Sequence, residues 1–95
     1  MVYFVATIYF NEVGDKKEYL EYIKMVKPIV KKYQGRYIVR SEKITSLNKE
    51  WKPDRIIIIE FDTRELLEKF FSSKEYRNIA LLRENSVESK AIIIE

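Results

Sequence analysis

Two stretches of this 95-residue chain are apolar at positions where a half-exposed strand would alternate. Val2 to Phe10 is interrupted only by Thr7, and Arg55 to Phe61 carries four consecutive isoleucines and one interruption, Glu60. β-Branched and aromatic residues dominate both, so they read as strands buried on two faces. A sheet of that kind needs cover on both sides. A chain this short forms one domain, over residues 1–95, and buries only roughly 60–65% of its unfolded surface.

The remaining elements supply cover for one face only. A turn is expected at residues 11–14, and Asp15 with Glu18 forms a capping box for a helix running to about Tyr33. Its apolar stripe is Tyr19, Tyr22, Ile23, Val26, Ile29, Val30 and Tyr33. Pro28 lies inside and predicts a kink or restart. Gln34-Gly35 stops the helix, with Gly35 expected as the left-handed cap. Arg36 to Ser41 alternates, placing Tyr37 and Val39 on one face and Ile38 and Arg40 on the other. A weaker extended piece at residues 43–47 is expected to continue it past a bulge, before a polar turn carrying Trp51 and Pro53. Asp62, Thr63 and Glu65 cap a second helix to about Phe71. Ser72 or Ser73 with Glu75 caps a third, whose stripe is Tyr76, Ile79, Ala80 and Leu82 or Arg83. A last strand is expected over residues 90–95.

That order predicts an α+β, ferredoxin-like βαββαβ sandwich: a four-stranded antiparallel sheet with its helices on one face. The second apolar face then requires a partner. The simplest is another copy of the chain, giving a sheet-to-sheet homodimer.

Composition narrows the chemistry. With no cysteine and no histidine, disulfide scaffolds, zinc fingers, iron–sulfur centres, thiol nucleophiles, Ser-His-Asp triads and His-ligated haem are excluded. No resident cofactor or metal is expected; Glu65 and Glu68 share a helix face that solvation explains. The net charge of +3 is mild. Lys24, Lys27, Lys31 and Lys32 line one helix, but Glu18 and Glu21 share it, so nucleic acid is not the expected partner. No signal-peptide pattern or membrane-length apolar run stands out, and a cytoplasmic location is expected. Abundant Ile, Lys and Glu lean toward a heat-adapted source.

Three strings carry a family resemblance: Gly35-Arg36-Tyr37-Ile38-Val39-Arg40, Trp51-Lys52-Pro53-Asp54-Arg55 with the strand ending Glu60-Phe61, and Ser73-x-Glu75-Tyr76 with Arg83 downstream. In order and spacing, over nearly the whole chain, this resembles the domain-of-unknown-function 1330 family of the dimeric α/β-barrel superfamily. The resemblance implies a ferredoxin-like protomer and a homodimer whose sheets close into a barrel, with no established reaction. The chain departs from the family in two places. Thr7 and Ile8 stand where members often carry an acidic residue, and Gln34 replaces the usual second glycine before the Arg-Tyr pair.

Arg40, amid apolar neighbours, is a candidate for gripping a ligand carboxylate; its structural alternative is an ion pair with Glu60. Glu60, in an apolar strand, would have a raised pKa and could act as a general base, or could serve as that cross-strand partner. Trp51 could lid a pocket, anchor an interface or pack a loop. Tyr76 and Arg83 could line a cleft, or serve packing and a helix end. Tyr22 and Tyr37 read as core aromatics with wet hydroxyls, and Tyr37 is also a candidate ligand contact. Gly35 to Val39 also faintly resembles an RNA-recognition strand, but flanking aromatics are missing and it falls on the second strand.

The expected function is binding of a small anionic metabolite in a cleft between sheet and helices. Related barrels include cofactor-independent monooxygenases and isomerases, which suggests an enzyme by analogy. The alternative is a non-catalytic ligand-sensing or protein-interaction module.

Overall fold

In the structure, a computed structural model, residues 1–10 and 16–95 are described. The expected turn at residues 11–14 and the Asp15 half of the capping box lie outside them. The elements follow the expected order: β1 (Val2–Phe10), α1 (Lys16–Lys32), β2 (Arg36–Ser41), β3 (Arg55–Phe61), α2 (Arg64–Ser72), α3 (Lys74–Ser86) and β4 (Val87–Ile94). The strands form one antiparallel sheet in the order β2-β3-β1-β4. This is the α+β ferredoxin-like arrangement.

Strand parity divides the sheet into two faces. Toward the helices point Val2, Ala6 and Ile8 of β1 and Ile59 and Phe61 of β3, all buried. They meet Tyr19, Tyr22, Val26 and Val30 of α1, Leu67 and Phe70 of α2, and Tyr76 and Ile79 of α3. The other face carries Tyr3, Val5, Thr7 and Tyr9 beside Ile56, Ile58 and Glu60. Among the described residues no helix packs on it, and its side chains are half-buried because neighbours across the strands shield one another: Val5 lies opposite Ile58 and Ile92. Farther out, Ile92 is 60% exposed.

Caps explain the broken helix. The Thr63 hydroxyl accepts from the Leu66 amide and starts α2. Ser73 ends α2 and starts α3, its hydroxyl accepting from the Tyr76 amide at 3.1 Å. From Ser86 the chain passes straight into β4, so that strand begins three residues earlier than residue 90.

The structure corrects several expectations. α1 is one helix through Pro28, so the restart offered as one of two outcomes there does not occur. Residues 43–47 form no strand. The left-handed residue after α1 is Gln34, at φ 64°, not Gly35; the position where the family usually places glycine is thus the one whose backbone favours it. Gly35 is required for a different reason. A Cβ there would meet Val30 Cγ1 at 2.8 Å and the Phe61 ring at 2.9 Å. Both neighbours are fully buried and cannot yield cheaply. Gly35→Ala is therefore expected to destabilise the fold by about 1–3 kcal/mol, as overpacking does, read as a lower urea midpoint with an unchanged slope.

β2 also contains a bulge. Tyr37 pairs with Ile59 and Arg40 with Ile57, with the register shifting between Tyr37 and Val39. Residues three apart would normally point to opposite faces, and the extra residue turns both toward the helices. The expected placement of Arg40 with Ile38 is overturned by that bulge.

Candidate functional site

A cleft of about 220 Å³ lies between the inner sheet face and the helices. Small residues create it. Ala6 and Ala91 are directly paired on neighbouring strands, and Ala80 faces them from α3, so no side chain fills the space that Phe4 and Ile8 occupy elsewhere along β1. Aromatic rings from α1, α2 and α3 close the apolar part: Tyr22, Phe70, Phe71 and Tyr76.

Three arginines border this apolar space. Arg40 comes from β2 by way of the bulge, and its guanidinium lies over the Tyr37 ring at 4.9 Å. Arg83 comes from α3; its Nη1 donates to Ser89 Oγ at 2.6 Å, and it lies beside the Tyr76 and Tyr22 hydroxyls. Arg55, the first residue of β3, is the most enclosed, at 9% exposure. It lies beside the Tyr19 hydroxyl, and its Nε is buried with no hydrogen-bond partner. Among the described residues no carboxylate pairs with Arg40 or Arg55. Glu84, at the rim, approaches Arg83 at 3.9 Å.

Tyr19, Tyr22 and Tyr37 are held protonated. Burial pushes the Tyr19 hydroxyl up to about 12, against the pull of the Arg55 charge. Burial raises Tyr22 further, and its contact with the Tyr76 hydroxyl at 3.2 Å adds to this. Tyr37 is raised by burial too. At neutral pH these three hydroxyls stay protonated, so beside the arginines they are suited to donating hydrogen bonds rather than to accepting protons.

The structure brings Arg40, Tyr37, Tyr76 and Arg83 together around this cleft. It places Glu60 and Trp51 elsewhere. Glu60 is on the outer face, where Arg36 Nη2 donates to it at 2.9 Å and Arg36 Nε at 3.1 Å. Its partner is Arg36, not Arg40, because the register sets Arg36 directly opposite Glu60 and Arg40 opposite Ile57, while the bulge turns Arg40 to the other face. Its carboxyl is held below the usual carboxylate value by Arg36, with the Tyr3 hydroxyl adding to the effect. The expected raised pKa is overturned, since a paired carboxylate beside a guanidinium favours its charged form. Trp51, 49% exposed, donates from Nε1 to the Tyr9 hydroxyl at 2.8 Å, which ties its loop to the outer face.

A pH dependence follows from the Glu60 pairing. A carboxyl with a lowered folded pKa adds stability above its unfolded value, near 4.5, and loses it as pH falls through the lower folded value. The thermal midpoint of the wild type is expected to fall more steeply than that of Glu60→Gln on acidification through that window. Parallel curves would remove Glu60 as a contributor.

Arg55 is the cleft residue that sequence reasoning missed as a site. The available signal was parity: Arg55, Ile57, Ile59 and Phe61 share one face, and a lone charge on a core-facing parity needs an explanation.

No curated protein sequence matches the chain. Solved structures do. A protein of unknown function from Rhodopseudomonas palustris superposes with a TM-score of 0.85 at 14% identity, covering 98% of this chain and 79% of that one. A dimeric ferredoxin-like protein of unknown function from a Jannaschia species gives 0.76 at 9% identity, over 99% of this chain and 97% of its own. SnoaB, a cofactor-independent oxygenase from Streptomyces nogalater, gives 0.71 at 10% identity, over 99% and 90%. At these identities the likeness is one of fold. The family model described as "Domain of unknown function (DUF1330)" matches residues 1–95, and the chain belongs to that family.

Proposed function

We propose that this chain is a homodimeric binding protein for a small anionic metabolite, taken up in the cleft between sheet and helices. The observation that carries this reading is the set of three arginines around an aromatic, partly enclosed space. Arg55 is buried with no counterion among the described residues, which is unfavourable unless something supplies the missing charge, while Arg40 and Arg83 stand nearer the opening; a concave apolar site with a few convergent polar groups is the usual form of a ligand pocket. The volume suits a small metabolite better than a drug-sized molecule.

The outer face supports the homodimer. Tyr3, Val5, Ile56, Ile58, Ile92 and Ile94 form a contiguous apolar surface without helix cover. Surfaces of that kind mark interaction sites, and a second copy offers the same patch across a twofold axis. A dimeric relative on the same fold agrees with this.

Binding without catalysis is the favoured form, because Tyr19, Tyr22 and Tyr37 are held neutral, Glu60 lies on the other face, and Glu84 stands at the rim beside Arg83. Chemistry on the bound ligand is the second reading. The Tyr22–Tyr76 hydroxyl pair faces the cleft and could polarise a ligand oxygen, and a cofactor-independent oxygenase shares the fold.

Native mass spectrometry of protein purified from cell extract tests the proposal. A dimer carrying a small acid is expected. A monomer, or a ligand that is neutral or cationic, would overturn the corresponding part. Incubating the released acid with protein and oxygen then separates the readings: an unchanged acid supports binding alone.

A further inference from the structure

Resting on that reading of the cleft, we infer that its ligand is a planar carboxylic acid whose carboxylate is held by Arg55 and whose unsaturated or single-ring body lies over the Ala6–Ala91 gap. Arg55 is nine-tenths buried, and its Nε–H lacks a partner. A buried guanidinium N–H without an acceptor is costly, and the acceptor that matches its planar fork is a carboxylate. The Tyr19 hydroxyl beside it is protonated and can turn its own hydrogen to the same anion.

The sheet register places the rest of the ligand. Arg55 pairs with Ile8, and the next inner-facing row is Ile57, Ala6 and Ala91. Two strand residues separate the rows, about 7 Å. A body attached directly to a carboxylate at Arg55 therefore falls over the alanines, where side-chain volume is missing. The roof there is aromatic, formed by Tyr22 and Tyr76, and rings stack or meet edge-on with flat partners. A phosphate ester would bring a second negative charge and a bulkier tetrahedral head into the enclosed space beside Tyr19, so the flat, singly charged carboxylate is the better match.

Thermal-shift and calorimetric titrations test this on the full chain. The probes are benzoate, cinnamate and sorbate, with the matched amides, phenyl phosphate and inorganic phosphate. At least one planar carboxylate is expected to bind, its amide is not, and Arg55→Gln is expected to weaken it about 10–100-fold. Arg55→Lys, which keeps the charge but not the fork, should fall between. Because Arg55 is buried, Ala6→Leu provides an independent variant: it leaves the arginine intact, fills the gap and should abolish binding while circular dichroism stays native. Binding of phosphates alone, or of carboxylates equally well to Arg55→Gln or Ala6→Leu, would overturn this assignment and leave the anion cleft standing. Failure of every anion would overturn both.

Discussion

Phe70→Ala is expected to destabilise the protein by about 3–5 kcal/mol, a large part of the 5–15 kcal/mol that ordinarily separates folded from unfolded domains. Phe70 is 1% exposed, and its ring centre lies 5.7 Å from Phe61, 4.8 Å from Phe71 and 4.9 Å from Tyr76. It thus joins β3, α2 and α3 at one point. Alanine would leave a cavity whose walls are rings held by three different elements, which cannot all move inward together. Urea unfolding followed by circular dichroism gives the number. Phe71→Ala, at a half-buried position, should cost less. A loss below about 1 kcal/mol for Phe70→Ala would mean that the core is not centred there.

Ile58→Lys is expected to dissociate the proposed dimer, weakening association by about a thousandfold or more. Ile58 is central on the outer face, opposite Val5 on one side and Val39 on the other. In a twofold interface the substitution occurs twice, and each ammonium would be withdrawn from water without a partner. The protomer should stay folded, because the helix-facing core is untouched. Light scattering at micromolar concentration distinguishes the states, and Lys24→Glu on the exposed side of α1 is the control. A wild type that is monomeric there, or an Ile58→Lys protein that remains dimeric, would rule out the sheet-to-sheet arrangement.

Much of the fold was legible in the chain because its signals are local. The stripe from Tyr19 to Tyr33 specifies a helix with one buried face, and Pro28 is tolerated within it. Thr63 and Ser73 announce helix starts through hydroxyls that act within three residues. The apolar residues on both parities of β1 and β3 place these strands at the centre of the sheet, where β3-β1 are indeed the inner pair.

The candidate site was legible only in part, for a geometric reason. Tyr76 and Arg83 are seven residues apart on one helix, so their shared face could be read directly. Arg40 could be singled out, but its face could not. One extra residue near Ile38 inverts everything after it in the strand, and no residue type announces that insertion. The strand register, which pairs Arg36 with Glu60 ahead of the bulge, was equally invisible and kept Glu60 from Arg40. Gly35 showed a similar limit: a helix stop marked by glycine was visible, but the approach of Val30 and Phe61 to its backbone was not.

The sequence by itself determined the element order, the helix faces, the absence of thiol and imidazole chemistry, and the surplus of apolar sheet surface. These depend on residue type and on periodicity within a single element. Only the tertiary structure decided which cations face the cleft and which carboxylate is already taken. Those outcomes depend on cross-strand register, which side chains from distant segments settle together. Arg55 shows the difference: in the chain it opens a strand, and in the fold it is a buried guanidinium with an unmet donor over the only gap that paired alanines leave in the described sheet.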